Sequence, residues 1–115
     1  MDVVLRNKKA KNNGIIGESI AKSAFDDFEF LNGLIDARLN GRLAEIKTCS
    51  EWQSNGRCRC RGRFVLEEDQ HRKLLENDGF YIFIVLMNDG SKRIKLVAAK
   101  DVEFKRKISW MKIFG

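Results

Sequence analysis

The chain has 115 residues, of which 22 are Lys or Arg and 16 are Asp or Glu, giving a net charge of +6, with three cysteines and no proline. A single domain of this length buries roughly two-thirds of its unfolded surface and needs neither disulfides nor structural metal. The odd cysteine count argues against a disulfide scaffold, and the lack of any apolar run near the ~20 residues of a membrane helix argues against a membrane protein. In the first 13 residues the charges follow a short apolar start instead of preceding it, unlike a secretory leader. The expected location is therefore cytoplasmic, and the positive balance suits a phosphate-bearing partner, DNA of the nucleoid included.

With proline absent, turns fall to Asn-Gly and Asp-Gly pairs: Asn13-Gly14, Asn32-Gly33, Asn40-Gly41, Asn55-Gly56, Asp78-Gly79 and Asp89-Gly90. Each pair can supply the positive φ of a tight turn. From Gly14 to about Phe25, Ile16, Ile20 and Ala24 recur at helical spacing, with Gly17 and Ala21 beside them and Glu18 on the flank. "DFEFL", "LIDARL" and "RLAEIKTC" then read as three antiparallel strands joined by tight hairpins at Asn32-Gly33 and Asn40-Gly41. Phe28, Phe30, Ile35, Ala37, Ala44 and Ile46 share the core face. A two-residue turn at Asn40-Gly41 sets Asp36 opposite Glu45, with Glu29 in the same row. Like charges facing each other across a sheet cost a few tenths to ~1 kcal/mol, so a pair of this kind calls for something to hold it.

Downstream, Arg57, Arg59, Arg61 and Arg63 alternate with Cys58, Cys60 and Gly62; an extended backbone shows all four guanidinium groups on one face. Such a stripe draws a phosphate backbone, and Lys8, Lys9 and Lys11 extend the footprint. Trp52, in the same loop, either stacks on an exposed base or packs down as a lid. Glu67 to Asn77 reads as a second helix with acids in its first turn, Leu74 and Leu75 inward, and Gly79 as end cap. "FYIFIVLM" has the length and continuous apolarity of a strand covered on both faces. Asn88-Asp89-Gly90 returns the chain into "KRIKLVAA", and Asp101 is placed at the start of a short helix before the tail "KISWMKIF". That tail is either core cover or a dimer surface, and the dimer surface is preferred. Cys49, Cys58 and Cys60 with His71 match zinc-ligand spacings poorly, so the cysteines read as reduced structural thiols and His71 as a packing or capping residue.

With these residues placed, the sequence resembles the PD-(D/E)xK nuclease superfamily, through Asp36 after the apolar Ile35 and through Glu45-Ile46-Lys47 on the next strand. Within it the pattern is most similar to the small archaeal Holliday junction resolvases: Gly17-Glu18 in the first helix, then the Glu-x-Lys strand, a basic segment, "RFVL", and a helix opening on "EEDQ". Two departures are the long, cysteine-rich segment from Cys49 to Arg63 and Ile35 in place of the motif's leading proline. The resemblance implies a restriction-endonuclease-like α/β fold with an α-β-β-β-α-β core, a mixed central sheet flanked by helices, and here an extra C-terminal strand, all in one domain over residues 1–115. It implies a metal-dependent endonuclease. Asp36 and Glu45 supply hard oxygen ligands for Mg²⁺ or Mn²⁺, which polarises the phosphate and lowers the pKa of bound water, while Lys47 handles that water. By the same resemblance Glu18 is a further ligand, the Ile46 carbonyl another, and Gln70 contacts nucleic acid near the site. The expected substrate is branched or duplex DNA, cut by a homodimer because two strands need two active sites. The alternatives are a restriction, homing or repair endonuclease of the same superfamily, or a non-catalytic nucleic-acid-binding module.

Overall fold

The computed structural model describes residues 14–31, 33–54 and 59–115. Lys8, Lys9, Lys11, Arg57 and Cys58 lie outside the described residues. Helix α1 covers residues 14–24 and is followed by strands β1 (Phe28–Phe30), β2 (Ala37–Leu39) and β3 (Arg42–Ser50). The short strands β4 (Trp52–Ser54), β5 (Arg59–Arg61) and β6 (Arg63–Val65) come next, then helix α2 (Glu68–Glu76). Strands β7 (Phe80–Leu86) and β8 (Lys92–Ala98), a 3-10 turn at Ala99–Asp101, strand β9 (Lys107–Ser109) and helix α3 (Trp110–Phe114) complete the chain. This contains the expected α-β-β-β-α-β order with further strands.

The central sheet is mixed, in the order β1-β2-β3-β7-β8, with β3 and β7 parallel and the other neighbours antiparallel. Strand β7 is buried along nearly its whole length, as its unbroken apolar run requires of a strand covered on both faces. Its alternate side chains feed two cores. Phe80, Ile82 and Ile84 join Ala21, Leu39, Ala44 and Ile46 under α1. Tyr81, Phe83 and Val85 join Leu74 of α2, Phe64, Ile108 and Trp110 on the other face.

Helix α1 seats on the sheet through small residues. Gly17 and Ala21 are buried, whereas Ile16 and Ala24, expected on the inner stripe, are exposed. A side chain at Gly17 would run into the Thr48 hydroxyl, so this position needs glycine for close approach and not for a special backbone angle. Gly62 plays the same part against the Ser50 carbonyl.

The Asn40-Gly41 turn is as expected: both residues have positive φ, 52° and 80°, and β2 pairs with β3 as Ala37↔Ala44, Arg38↔Leu43 and Leu39↔Arg42. The other hairpin is not. Strand β1 pairs as Glu29↔Arg38 and Phe30↔Ala37, so the connection spans residues 31–36, closed by the Leu31 amide donating to the Asp36 carbonyl at 2.8 Å. Glu29 therefore faces Arg38 and leaves the acidic row, Phe30 is exposed, and Ile35 is buried in the α2-side core. In α2, Leu74 is buried, Leu75 is exposed, and His71 takes the second inward position. The αL residue after this helix is Asp78, with φ 52°, while Gly79 is needed for close packing against Leu74 and the Leu43 carbonyl. Asp101 ends the 3-10 turn instead of opening a helix.

The tail belongs to the core. Strand β9 pairs with β6, Ile108 and Trp110 are buried, and Ile113 and Phe114 pack on the same cluster. This overturns its reading as a dimer surface.

Candidate active site

The in-register hairpin places Asp36 one step beyond the Ala37↔Ala44 pair, beside Glu45. The Asp36 amide donates to Glu45 Oε1 at 2.9 Å, and the Ile46 amide donates to Asp36 Oδ2 at 3.3 Å. In a strand a residue's N–H and C=O share one edge, so the Ile46 carbonyl lies on the edge of β3 that β2 leaves uncovered next to Asp36.

Glu45 points to the α2 side of the sheet, opposite Tyr81 in the β3–β7 register, and is only 2% exposed. Burial first, and the Asp36 carboxylate second, push its pKa up to about 7; Lys47 and the hydrogen bonds from Asp36 and Lys47 act in the opposite direction. Glu18 is exposed, and α1 brings it within range of the Asp36 charge: slight burial and then that charge raise its pKa. The structure thus joins Asp36, Glu45 and the Ile46 backbone where β2 meets β3, with Glu18 close enough to feel the Asp36 charge.

Lys47 is two residues along β3 from Glu45, on the same face. Its Nζ lies 3.3 Å from Glu45 Oε2 and donates to Gln70 Oε1 at 2.9 Å. The Gln70 amide in turn donates to the Leu34 carbonyl at 3.0 Å. Gln70, expected to touch nucleic acid, is in this arrangement an anchor for the lysine. The Leu34 carbonyl that fixes it belongs to the long 31–36 connection and had no signal in the sequence.

Behind Glu45 the His71 Nδ1 and Tyr81 hydroxyl share a 2.8 Å hydrogen bond, with the rings stacked. Burial lowers the His71 pKa, and burial together with the Glu45 charge raises that of Tyr81. The His71 ring is therefore a buried packing group, and Cys49 is a buried thiol whose pKa burial pushes up to about 12.

The arginine stripe is broken. Strands β4 and β5 pair as Trp52↔Arg61 and Ser54↔Arg59, and the Arg59 and Arg61 guanidinium carbons lie 5.0 and 3.9 Å from the centre of the Trp52 ring. Gly62 then ends the ribbon, and Arg63 turns to the Cys60 sulfur at 3.9 Å. Trp52 is half-buried, with two arginines over its ring.

Among the described residues no group of three or more His, Cys, Asp or Glu side chains is already drawn together to hold a metal ion. The donor chemistry nonetheless suits a hard divalent cation. Asp36 and Glu45 are adjacent carboxylates, and a hard divalent cation takes oxygen ligands of this kind.

A family model described as the PD-(D/E)XK nuclease superfamily domain matches residues 6–113. No curated protein and no solved structure matches the chain. The match runs through the hairpin, the lysine strand, α2 and the tail alike, and the chain belongs to the PD-(D/E)XK nuclease superfamily.

Proposed function

We propose that the protein is a metal-dependent endodeoxyribonuclease whose catalytic residues are Asp36, Glu45 and Lys47, with Glu18 as an accessory carboxylate. One observation carries this reading: the buried Glu45 carboxylate is held between the Asp36 amide on one oxygen and the Lys47 ammonium on the other. Asp36, Glu45, Glu18 and the Ile46 carbonyl are the groups that would hold Mg²⁺ or Mn²⁺, and a bound cation supplies Lewis-acid polarisation of the phosphate and a more acidic water. The chain's own residues do the rest. Lys47, anchored by Gln70, places a positive charge where negative charge grows on the phosphoryl oxygens and can hold the attacking water by hydrogen bonding. Arg59 and Arg61, with Lys8, Lys9, Lys11, Arg57 and Arg63, offset the repulsion between a phosphate backbone and the carboxylates.

Branched DNA is the substrate we place first, cut in the manner of a junction resolvase. The Gln70–Lys47 hydrogen bond supports it, because a glutamine opening this helix near the site is part of the resolvase-like pattern. Symmetric cutting of two strands implies a homodimer, built on surfaces other than the buried tail. A restriction, homing or repair enzyme of the same superfamily is the competing reading.

The test is to incubate the protein with Mg²⁺ or Mn²⁺ and a panel of single-stranded, duplex, flap and four-way-junction DNA, beside the Asp36→Asn variant. The expected result is cleavage by the wild type and a loss of about 100-fold or more in the variant, the scale on which single charge-stabilising groups act. Equal cleavage by the variant would overturn the site. Paired symmetric nicks on the junction support resolution; cuts at a fixed duplex sequence refute it.

A further inference from the structure

The covered Trp52 ring is the start of a longer array. Arg61 lies between two indoles, 3.9 Å from the centre of Trp52 and 5.8 Å from that of Trp110. Arg93, on the edge strand β8, lies between Trp110 at 5.7 Å and Phe114 at 5.0 Å. Arg59, on the other side, completes a ladder in which guanidinium and aromatic groups alternate from the β4–β5 ribbon, across α3, to the far edge of the central sheet. Arg59, Arg61 and Arg93 are exposed, while Trp110 is buried and pinned by its Nε1 donating to the Glu51 carbonyl at 2.9 Å. Glu51 also steadies Arg61 through a 3.7 Å ion pair, and its other oxygen accepts from the Asn88 amide at 2.9 Å.

A guanidinium stacked on a ring leaves its rim of N–H groups pointing away from the ring, which is the edge that meets a phosphate in bidentate fashion. The same stacking occupies the aromatic surface on which a base would lie. The ladder is thus built to grip phosphates and poorly built to stack bases.

We infer that Arg59, Arg61 and Arg93, held in line by Trp52, Trp110 and Phe114, form a track for one nucleic-acid backbone, read through its phosphates and not its bases. This rests on the nuclease reading and deepens it: the contact is independent of sequence, and the substrate is selected elsewhere. Nucleic acid is favoured over an anionic membrane surface because the chain belongs to a nuclease superfamily and because the cations are three planar forks spaced along one series of rings.

The test measures binding by fluorescence anisotropy in EDTA, so that no cleavage is involved, using the full chain, a 20-nucleotide single strand, its duplex, and a single strand with four central abasic sites. The Arg93→Gln variant, at an exposed edge position, is expected to keep the wild-type melting temperature. It should weaken binding to all three DNAs about 3- to 10-fold at low salt and reduce the slope of log affinity against log salt by about 0.7 to 0.9, the loss of one phosphate contact. The abasic strand should bind the wild type within about 2-fold of the intact one. Unchanged affinity and slope in Arg93→Gln overturns the track. A loss of ten-fold or more on the abasic strand overturns backbone readout, and tighter binding to phosphatidylglycerol vesicles than to DNA at the same salt overturns the choice of partner. Failure of the nuclease reading shows up separately, as no cleavage of any DNA by the wild type with Mg²⁺ or Mn²⁺.

Discussion

Burial and the Asp36 charge make ionised Glu45 costly, so the folded chain keeps that proton up to about pH 7 while the unfolded chain releases it near 4.5. Between those values the folded state binds more protons, and its stability falls as pH rises. The contribution is fully present below about pH 4.5 and lost through pH 7. In metal-free protein the stability of the wild type relative to Glu45→Gln should fall by on the order of 2 kcal/mol from pH 5 to pH 8. Chemical denaturation across that range checks it, a flat difference being the contrary result. Mg²⁺ should recover more stability at pH 8 than at pH 5, because the cation binds the ionised form. Asp36, Glu45 and Lys47 were legible in the sequence because a local turn sets their positions. Tyr81 and His71 were not, since Tyr81 meets Glu45 only through parallel pairing of distant strands.

The hairpins show why one turn was readable and the other was not. Asn40-Gly41 is flanked directly by strands that pair in register. At Asn32-Gly33 the sequence suggests a two-residue turn, but strand pairing begins only at Phe30↔Ala37, because the Leu31 amide closes a longer connection on the Asp36 carbonyl and Ile35 goes to the opposite core. Helix α1 shows the complementary failure. Its apolar stripe favoured Ile16 and Ala24, yet contact with β3 is made by the smallest side chains, and a stripe count does not register how closely two backbones approach. Gly17→Ala tests this. Although alanine favours helix by about 1 kcal/mol, the clash with Thr48 should make the variant less stable by about 1–3 kcal/mol. A gain in melting temperature would show that α1 does not sit this close.

At the scale of the molecule, the five-stranded sheet carries a core on each face, and the tail closes the α2-side core. The apolarity of "ISWMKIF" was legible, but its partner was not: strand β6, whose Phe64 pairs with Ile108, lies far earlier in the chain. Trp110 is 4% exposed and bonds Glu51, so Trp110→Ala should cost about 3–5 kcal/mol. Light scattering should return the wild-type mass for this variant at temperatures where it is folded. A change in mass with little loss of stability would restore the tail as a contact between subunits.

The hydrogen-bonded chain from Lys47 through Gln70 to the Leu34 carbonyl bears on timing during folding. It joins segments 23 and 36 residues apart, and contacts of such separation are slow to form because the intervening chain must be ordered first. A nascent or refolding chain can therefore pair Asp36 with Glu45 through the local hairpin while its lysine is still unanchored, and on the proposed mechanism cleavage would wait for α2 to dock. In refolding from denaturant, cleavage activity should return no earlier than the slowest step that buries α2. Activity preceding that step would show that the anchor is dispensable.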